Sequence, residues 1–255
     1  MRAYGKGLAL RRLVMSGALA LLAGCAQPAA TTHPTPTPAA SPATVFPEAG
    51  TTMISLPQPN FRGQVSLGEA LLKRRSVREY ADRPLTLEEV SQLLWAAQGL
   101  TADWGGRTAP SAGALYPLEL YLVAGSISGL PPGVYRYMPQ EHSLFKAADG
   151  DPRASLAQAT LDQAWVKEAA ADIVVAAVYE RTTRKYGEKG IQYVHIEAGH
   201  AAQNLLLQAT AMGLGAVPVV AFYDEQVVSI LGLPENTRPL YILPVGRKRE
   251  GASAP

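Results

Sequence analysis

Lys73-Arg74-Arg75-Ser76-Val77-Arg78-Glu79-Tyr80 is the stretch on which the reading of this 255-residue chain turns. Arg74 and Arg78 stand four apart, one helical turn, so both guanidinium groups could face one anion. Their planar forks match phosphate oxygens in pairs, and the Ser76 hydroxyl offers a further donor. The same residues also suit a plain helix end. Ser66-Leu67-Gly68-Glu69 upstream is a capping box that opens a helix to about Arg75, and a helix dipole favours cations at its C-terminus.

Outward from that stretch the pattern alternates between helix and strand signals. Thr86-Leu87-Glu88-Glu89 is a second capping box; Leu87, Val90, Leu93, Leu94 and Ala97 follow helical spacing, and Gly99 stops the helix. Residues 101–117, rich in Gly, Pro, Ser and Thr, read as a loop, and 118–124 as a strand. Residues 133–137 and 143–146 predict a hairpin, 151–170 helix, and 173–179 a buried strand. A helix follows over about 192–212. From Ala198 to Met212 it holds no Asp, Glu, Lys or Arg, so it is either the central helix of the domain or part of a subunit interface. Gly213 and Gly215 end it; a strand at 216–222, a helix at 224–231 and a last strand at 239–245 complete the domain. The class is α+β, with helices flanking a mixed, mostly antiparallel sheet.

The ordered motifs resemble the nitroreductase superfamily. The start, Arg74-Arg75-Ser76-Val77-Arg78-Glu79-Tyr80 followed by Pro84 to Ala97, is similar to the opening of that family. The resemblance implies a dimeric nitroreductase-like fold that binds FMN, with Arg74, Arg75, Ser76 and Arg78 on its phosphate and ribityl chain. Read without the family, Pro110-Ser111-Ala112-Gly113-Ala114-Leu115-Tyr116-Pro117 is a Gly/Pro loop and nothing more. Within it, Pro110, Ser111, Ala112 and Gly113 are expected against the flavin. Ala114 and Tyr116 stand where ordinary nitroreductases usually carry Asn and Gln. The loop instead resembles the SagB-type branch, which oxidises azolines in modified peptides to azoles.

Two further blocks carry the likeness. Lys185-Tyr186-Gly187 and Glu197-Ala198-Gly199-His200-Ala201-Ala202-Gln203-Asn204-Leu205 look like the SagB type, where the Lys-Tyr pair is the proposed proton-handling dyad. Aromatising an azoline sends a hydride to flavin N5 and a proton to a base, a role open to Lys185 with Tyr186 as relay. By spacing alone the same residues fit a solvated loop, since Arg181, Arg184, Glu188 and Lys189 crowd there. Gly215, Pro218, Val219, Val220 and Ala221 match the strand that borders the isoalloxazine, although Val220-Ala221 replaces the usual Glu-Gly. Arg247, in Pro244-Val245-Gly246-Arg247, matches a basic residue near the FMN phosphate; a plain surface charge fits it as well.

The N-terminal segment reads separately. Arg2, Lys6, Arg11 and Arg12 precede an apolar run, 13–23, too short to span a bilayer comfortably. It ends in Leu22-Ala23-Gly24-Cys25, which resembles a bacterial lipobox, and Cys25 is the single cysteine, so no internal disulfide can form. The expected organisation is a signal peptide over 1–24, a lipidated Cys25 with a Pro/Thr/Ala-rich tether over 25–60, the domain over 61–250 and a tail over 251–255. The protein is thus expected to be exported and held on a membrane by its lipid, on the periplasmic side of the outer membrane in a Gram-negative cell.

Composition narrows the function. A net charge of +2 gives no pull toward nucleic acid. The four histidines show no metal spacing, and no nucleophile elbow or P-loop is present. His195 and His200, flanking the uncharged helix, are expected as hydrogen-bonded core histidines. The leading expectation is a homodimeric FMN-dependent dehydrogenase or oxidase acting on a small organic or peptide-derived substrate. The alternatives are an NAD(P)H-dependent nitroreductase and a non-catalytic, lipid-tethered binding module.

Overall fold

The structure is a computed structural model that describes residues 53–251; the signal segment, Cys25 and most of the tether lie outside the described residues. Seven strands form one sheet in the order β1-β4-β3-β2-β5-β7-β6, with every strand pair antiparallel. The strands are β1 (Met53–Ser55), β2 (Leu118–Ala124), β3 (Gly133–Met138), β4 (Ser143–Asp149), β5 (Ala171–Ala177), β6 (Leu214–Ala216) and β7 (Arg238–Arg247). Parallel pairing occurs, among the described residues, in single bridges, Ser76 with Ala216 and Leu85 with Ile127. The sheet starts earlier than position 61: Met53, Ile54 and Ser55 pair with Phe145, Leu144 and Ser143. Three residues with one half-buried side chain carry too weak an alternation to stand out beside a Pro-rich tether.

Both sheet faces are covered. In β2 and β5 every residue is buried, and alternation sends Leu118, Leu120, Ile173 and Val175 to one core and Tyr121, Val123, Val174 and Ala176 to the other. The first core is roofed by α2 (Leu87–Gln98) and α6 (Lys189–Ala211), the second by α3 (Arg153–Ala159), α4 (Ala164–Glu168) and α7 (Asp224–Leu231). The Thr86 capping box is complete: Glu89 N–H donates to Thr86 Oγ1, and Thr86 N–H donates to the Glu89 carboxylate at 2.8 Å. Such a cap is worth about 1 kcal/mol.

Several elements differ from the sequence reading. The helix α1 (Leu67–Lys73) stops before the arginines, and Arg74 caps it with a non-helical backbone, ψ 121°. The span 151–170 divides into α3 and α4. Lys185 and Tyr186 close a helix, α5 (Glu180–Tyr186), instead of lying in a loop. Of the strand expected at 216–222, Val219 contributes a single bridge to Ile242 after β6. The helix α6 packs against α2, α1 and the sheet, the central placement of the two that its uncharged run allowed. His195 and His200, however, are exposed on it, and His195 Nε2 shares a hydrogen bond of 2.6 Å with the Tyr179 hydroxyl. Both positions fall on the outer stripe of α6, which the uncharged run after Ala198 does not reveal. The histidine tied into the interior is His142, bonded to Ser91, Tyr137 and the Pro57 carbonyl.

One polar residue interrupts the second core. Asp172 of β5 is fully buried, and neither carboxyl oxygen has a hydrogen-bond partner. Burial raises its pKa well above the usual carboxylate value, with Arg153 opposing the shift.

Candidate active site

Two clusters contain almost every residue singled out by sequence. The first forms where the basic motif meets the end of the sheet. Val77 N–H donates to the Ala216 carbonyl at 3.0 Å, and the Tyr80 hydroxyl lies 2.9 Å from the Val77 carbonyl and 3.2 Å from that of Pro244. Gly246 leaves the space for the Tyr80 ring: a Cβ there would stand 2.9 Å from it. Gly215 does the same for Val77, at 2.6 Å. The apolar and small residues therefore fix the segment, and its cations are left to other work.

Those cations are not equivalent. Arg75 donates to the Leu72 and Arg74 carbonyls, closing the end of α1. The Arg78 guanidinium stacks 5.4 Å from the centre of the Trp165 ring. Among the described residues, neither Arg74 nor Arg78 has an acidic partner within salt-bridge distance. Arg247 does: it pairs with Glu89 at 2.9 Å and donates to the Pro84 carbonyl. Strand alternation turns the next residue the other way, and the stem of Lys248 lies 3.3 Å from where a Gly215 Cβ would be. Lys248, which the sequence did not single out, bridges to Tyr80 of the basic motif and runs its stem past Gly215.

Further along, Val219 exchanges two backbone hydrogen bonds with Ile242, while Val220 and Ala221 are exposed. The Ala221 carbonyl accepts from Gln163. Val220 thus lies at the surface, and Pro218 is half-buried beside it.

The second cluster is built on the loop 108–117. Its ends are pinned: Thr108 N–H donates to the Gly99 carbonyl, Asn204 of α6 donates to the Thr108 carbonyl, and Val178 N–H donates to the Pro117 carbonyl. Between them, Gly113, Ala114 and Tyr116 have φ of 63°, 55° and 45°. A left-handed backbone is free for glycine, but costs about 1–3 kcal/mol at a residue with a Cβ. Gly113 faces the dyad. A Cβ on it would stand 2.7 Å from the Tyr186 hydroxyl and 2.9 Å from Lys185 Nζ. Tyr186 in turn packs edge-on against Tyr193, with ring centroids 5.2 Å apart.

Beneath this loop lies a charged layer that sequence did not single out. Glu119 of β2 pairs with Arg136 and Arg181, and Arg181 also donates to the Tyr116 carbonyl. The Arg107 guanidinium lies 4.6 Å from the centre of the Tyr116 ring and donates to Gln98. Pro110, Ser111 and Ala112, with Tyr193, Ile196, Glu197 and His200 of α6, line an open cleft of about 300 Å³. Glu197 at its base is 2% exposed. Burial pushes its carboxyl up to about 7, while Ser111 and Arg107 act in the opposite sense.

Arg74 and Arg78 are thus cations without an acidic partner among the described residues, and Lys185 Nζ and the Tyr186 hydroxyl stand together against Gly113. Among the described residues no cluster suits a metal ion, and no helix is long and apolar enough to cross a membrane.

Residues 71–247 match the family described as the nitroreductase family. A Methanocaldococcus jannaschii protein described as a nitroreductase is 49% identical over 187 residues, covering 73% of this chain and 93% of its own. The NADPH-flavin oxidoreductase of Vibrio harveyi is 27% identical over 186 residues, with 70% of this chain and 64% of its own covered. The microcin B17-processing protein McbC of Escherichia coli is 27% identical over 138 residues, about half of each chain. In three dimensions, a Ralstonia eutropha protein described as a nitroreductase aligns with a TM-score of 0.69 at 32% identity, over 78% of this chain and 90% of that one.

Proposed function

This chain belongs to the nitroreductase family, and from that membership we propose that it is an FMN-dependent dehydrogenase or oxidase of the SagB type, acting on a small organic or peptide-derived donor. The observation that carries the reading is the approach of Lys185 Nζ and the Tyr186 hydroxyl to Gly113. A base and a hydroxyl held beside a hydrogen-bonded loop are what proton removal from a donor requires. The similarity to a peptide-processing protein, McbC, supports the branch.

The residues present fit FMN. Arg74, Ser76, Arg78 and Lys248 would hold its phosphate and ribityl chain; the 110–113 loop and the backbone of 218–221 would border its ring. Bound there, FMN supplies the two-electron acceptor, and the protein positions the donor and takes its proton. Lys185, as its neutral amine, accepts that proton and becomes the ammonium, and Tyr186 orients or relays it. Arg75 and Arg247 keep the ends of α1 and β7 in place, which shapes the same site indirectly.

The assembly is a homodimer in this reading. Leu67, Leu71 and Leu72 of α1, and Ile191 and Ile196 of α6, are exposed apolar side chains on two helices that pack together. Export and lipidation at Cys25 would put the enzyme where nicotinamide donors are scarce, which favours an organic donor with oxygen or a quinone as acceptor. A second reading, NADPH-driven reduction, has the Vibrio harveyi relative in its favour.

The test is the absorbance of the purified chain. A yellow protein, bleached by dithionite and recoloured by air, is the expected result. Colourless protein that FMN cannot reconstitute would leave a non-catalytic binding module. Oxidation of NADPH faster than of any azoline or other organic donor would select the second reading.

A further inference from the structure

The strained turn at 111–116 needs something to hold it. Two of its left-handed residues, Ala114 and Tyr116, carry side chains, and such backbone persists only where its surroundings over-determine it. Ser111 Oγ accepts from Tyr116 N–H at 2.9 Å, and its own proton remains to be donated. The Arg107 guanidinium covers the Tyr116 ring. Ser111 and Arg107 both act on one group, the Glu197 carboxyl of α6. That carboxyl is buried, and its Oε1 has no hydrogen-bond partner among the described residues.

We propose that Glu197 is a positioning residue that makes the 108–117 loop a proton-linked element: the loop sits closed over a neutral Glu197, and ionisation of that carboxyl loosens it. A carboxylate with an unpartnered oxygen gains hydration when the loop lifts, whereas a carboxylic acid loses little by staying buried. Arg107 does not compensate fully. It is itself buried, which lowers its pKa, and its charge is shared with Glu119 and set against Arg181. On its own helix Glu197 shares the cleft with Tyr193 and His200.

The direction follows from linkage. The closed-state value, about 7, lies above the ordinary 4.5, so the proton binds the closed loop more tightly. The hold is complete below the ordinary value and weakens as pH rises through the closed-state value. The consequence for catalysis rests on the proposed function, because Gly113 in this loop meets Lys185 and Tyr186. The loop equilibrium itself does not depend on that function.

Hydrogen exchange on the full purified chain tests this, with protection factors corrected for the intrinsic pH dependence of exchange. In the wild type, protection of the peptide containing Tyr116 is expected to fall by nearly a hundredfold between pH 5 and 8, on the order of 10², since between the ordinary and the closed-state values each pH step of one changes a proton-linked equilibrium by a factor of about ten, and the change levels off above the closed-state value. Glu197→Gln, a neutral isostere, is expected to keep high protection that does not change with pH. Ser111→Ala, which removes the acceptor for Tyr116 N–H, is expected to lower protection at every pH. A pH-independent wild type, or a Glu197→Gln variant that retains the wild-type fall, overturns the proposal. Flavin absorbance on the same samples separates the two claims: a colourless protein whose loop still responds through Glu197 keeps the linkage and loses the redox reading. A yellow protein with an unresponsive loop does the reverse.

Discussion

The Tyr186 hydroxyl lies 2.7 Å from the point where Gly113 would carry a side chain, with Lys185 Nζ at 2.9 Å from the same point. These two atoms belong to the free ends of flexible side chains. A methyl group at position 113 would therefore push the dyad aside before it disturbed the fold.

Gly113→Ala is accordingly expected to reduce turnover more than stability. The φ of 63° adds about 1 kcal/mol of strain. Thermal melting should drop by a few degrees at most, while donor oxidation falls by well over the corresponding factor. A large loss of melting temperature with activity per folded molecule unchanged would refute the idea that the dyad yields first.

Lys185→Ala and Tyr186→Phe address the proton directly. Loss of a positioned acid or base typically lowers the rate by about 10²- to 10⁴-fold. Flavin content is expected to stay at the wild-type level, since neither residue lies among the proposed phosphate contacts. Steady-state kinetics with the flavin spectrum as control decides; unchanged turnover in both variants removes the dyad from the mechanism.

Arg247 and Lys248 are predicted to part company. Arg247→Ala leaves Glu89 without its partner in a pair that is 26% and 18% exposed, and should cost about 1 kcal/mol of stability with little effect on FMN affinity. Lys248→Ala should weaken FMN binding by about tenfold or more, the scale of one charge-assisted contact, with little change in melting. Titration of FMN into apoprotein, followed by fluorescence, would expose a reversed order.

Asp172 predicts a pH dependence of stability. Its folded pKa is raised above the ordinary 3.8, so its neutral form is the one that the fold accepts. Its contribution is most favourable below 3.8 and is lost progressively as pH rises toward the folded value. Asp172→Asn should therefore gain stability relative to the wild type between about pH 4 and 8, measured by urea unfolding. A difference between the two proteins that stays flat across that range would show that the carboxyl does not titrate as argued.

How much of this was legible beforehand depends on the range of the interactions. The Thr86 capping box, the stop at Gly99, the strand at 118–124, the helix at 224–231 and the uncharged central helix all follow from neighbours within a few residues. The basic motif and the Pro110 loop were visible as well, although as lists of candidates. Short or interrupted elements were not: β1 is three residues beside a tether, and Arg74 leaves α1 because the segment after it bonds to Ala216.

The sequence by itself determined the alternation of elements and the α+β class, because those depend on side-chain type and local period, and through family resemblance it named candidates for binding a phosphate or moving a proton. Only the tertiary structure decided which cations remain free. Arg75 turns to carbonyls of its own helix end, Arg247 to Glu89 158 positions away, and Lys248 to Gly215 and Val77. It also placed Glu197 and Arg107 under the loop that Gly113 shares with the dyad. Burial and pairing are properties of what lies across the fold, and no spacing along the chain records them.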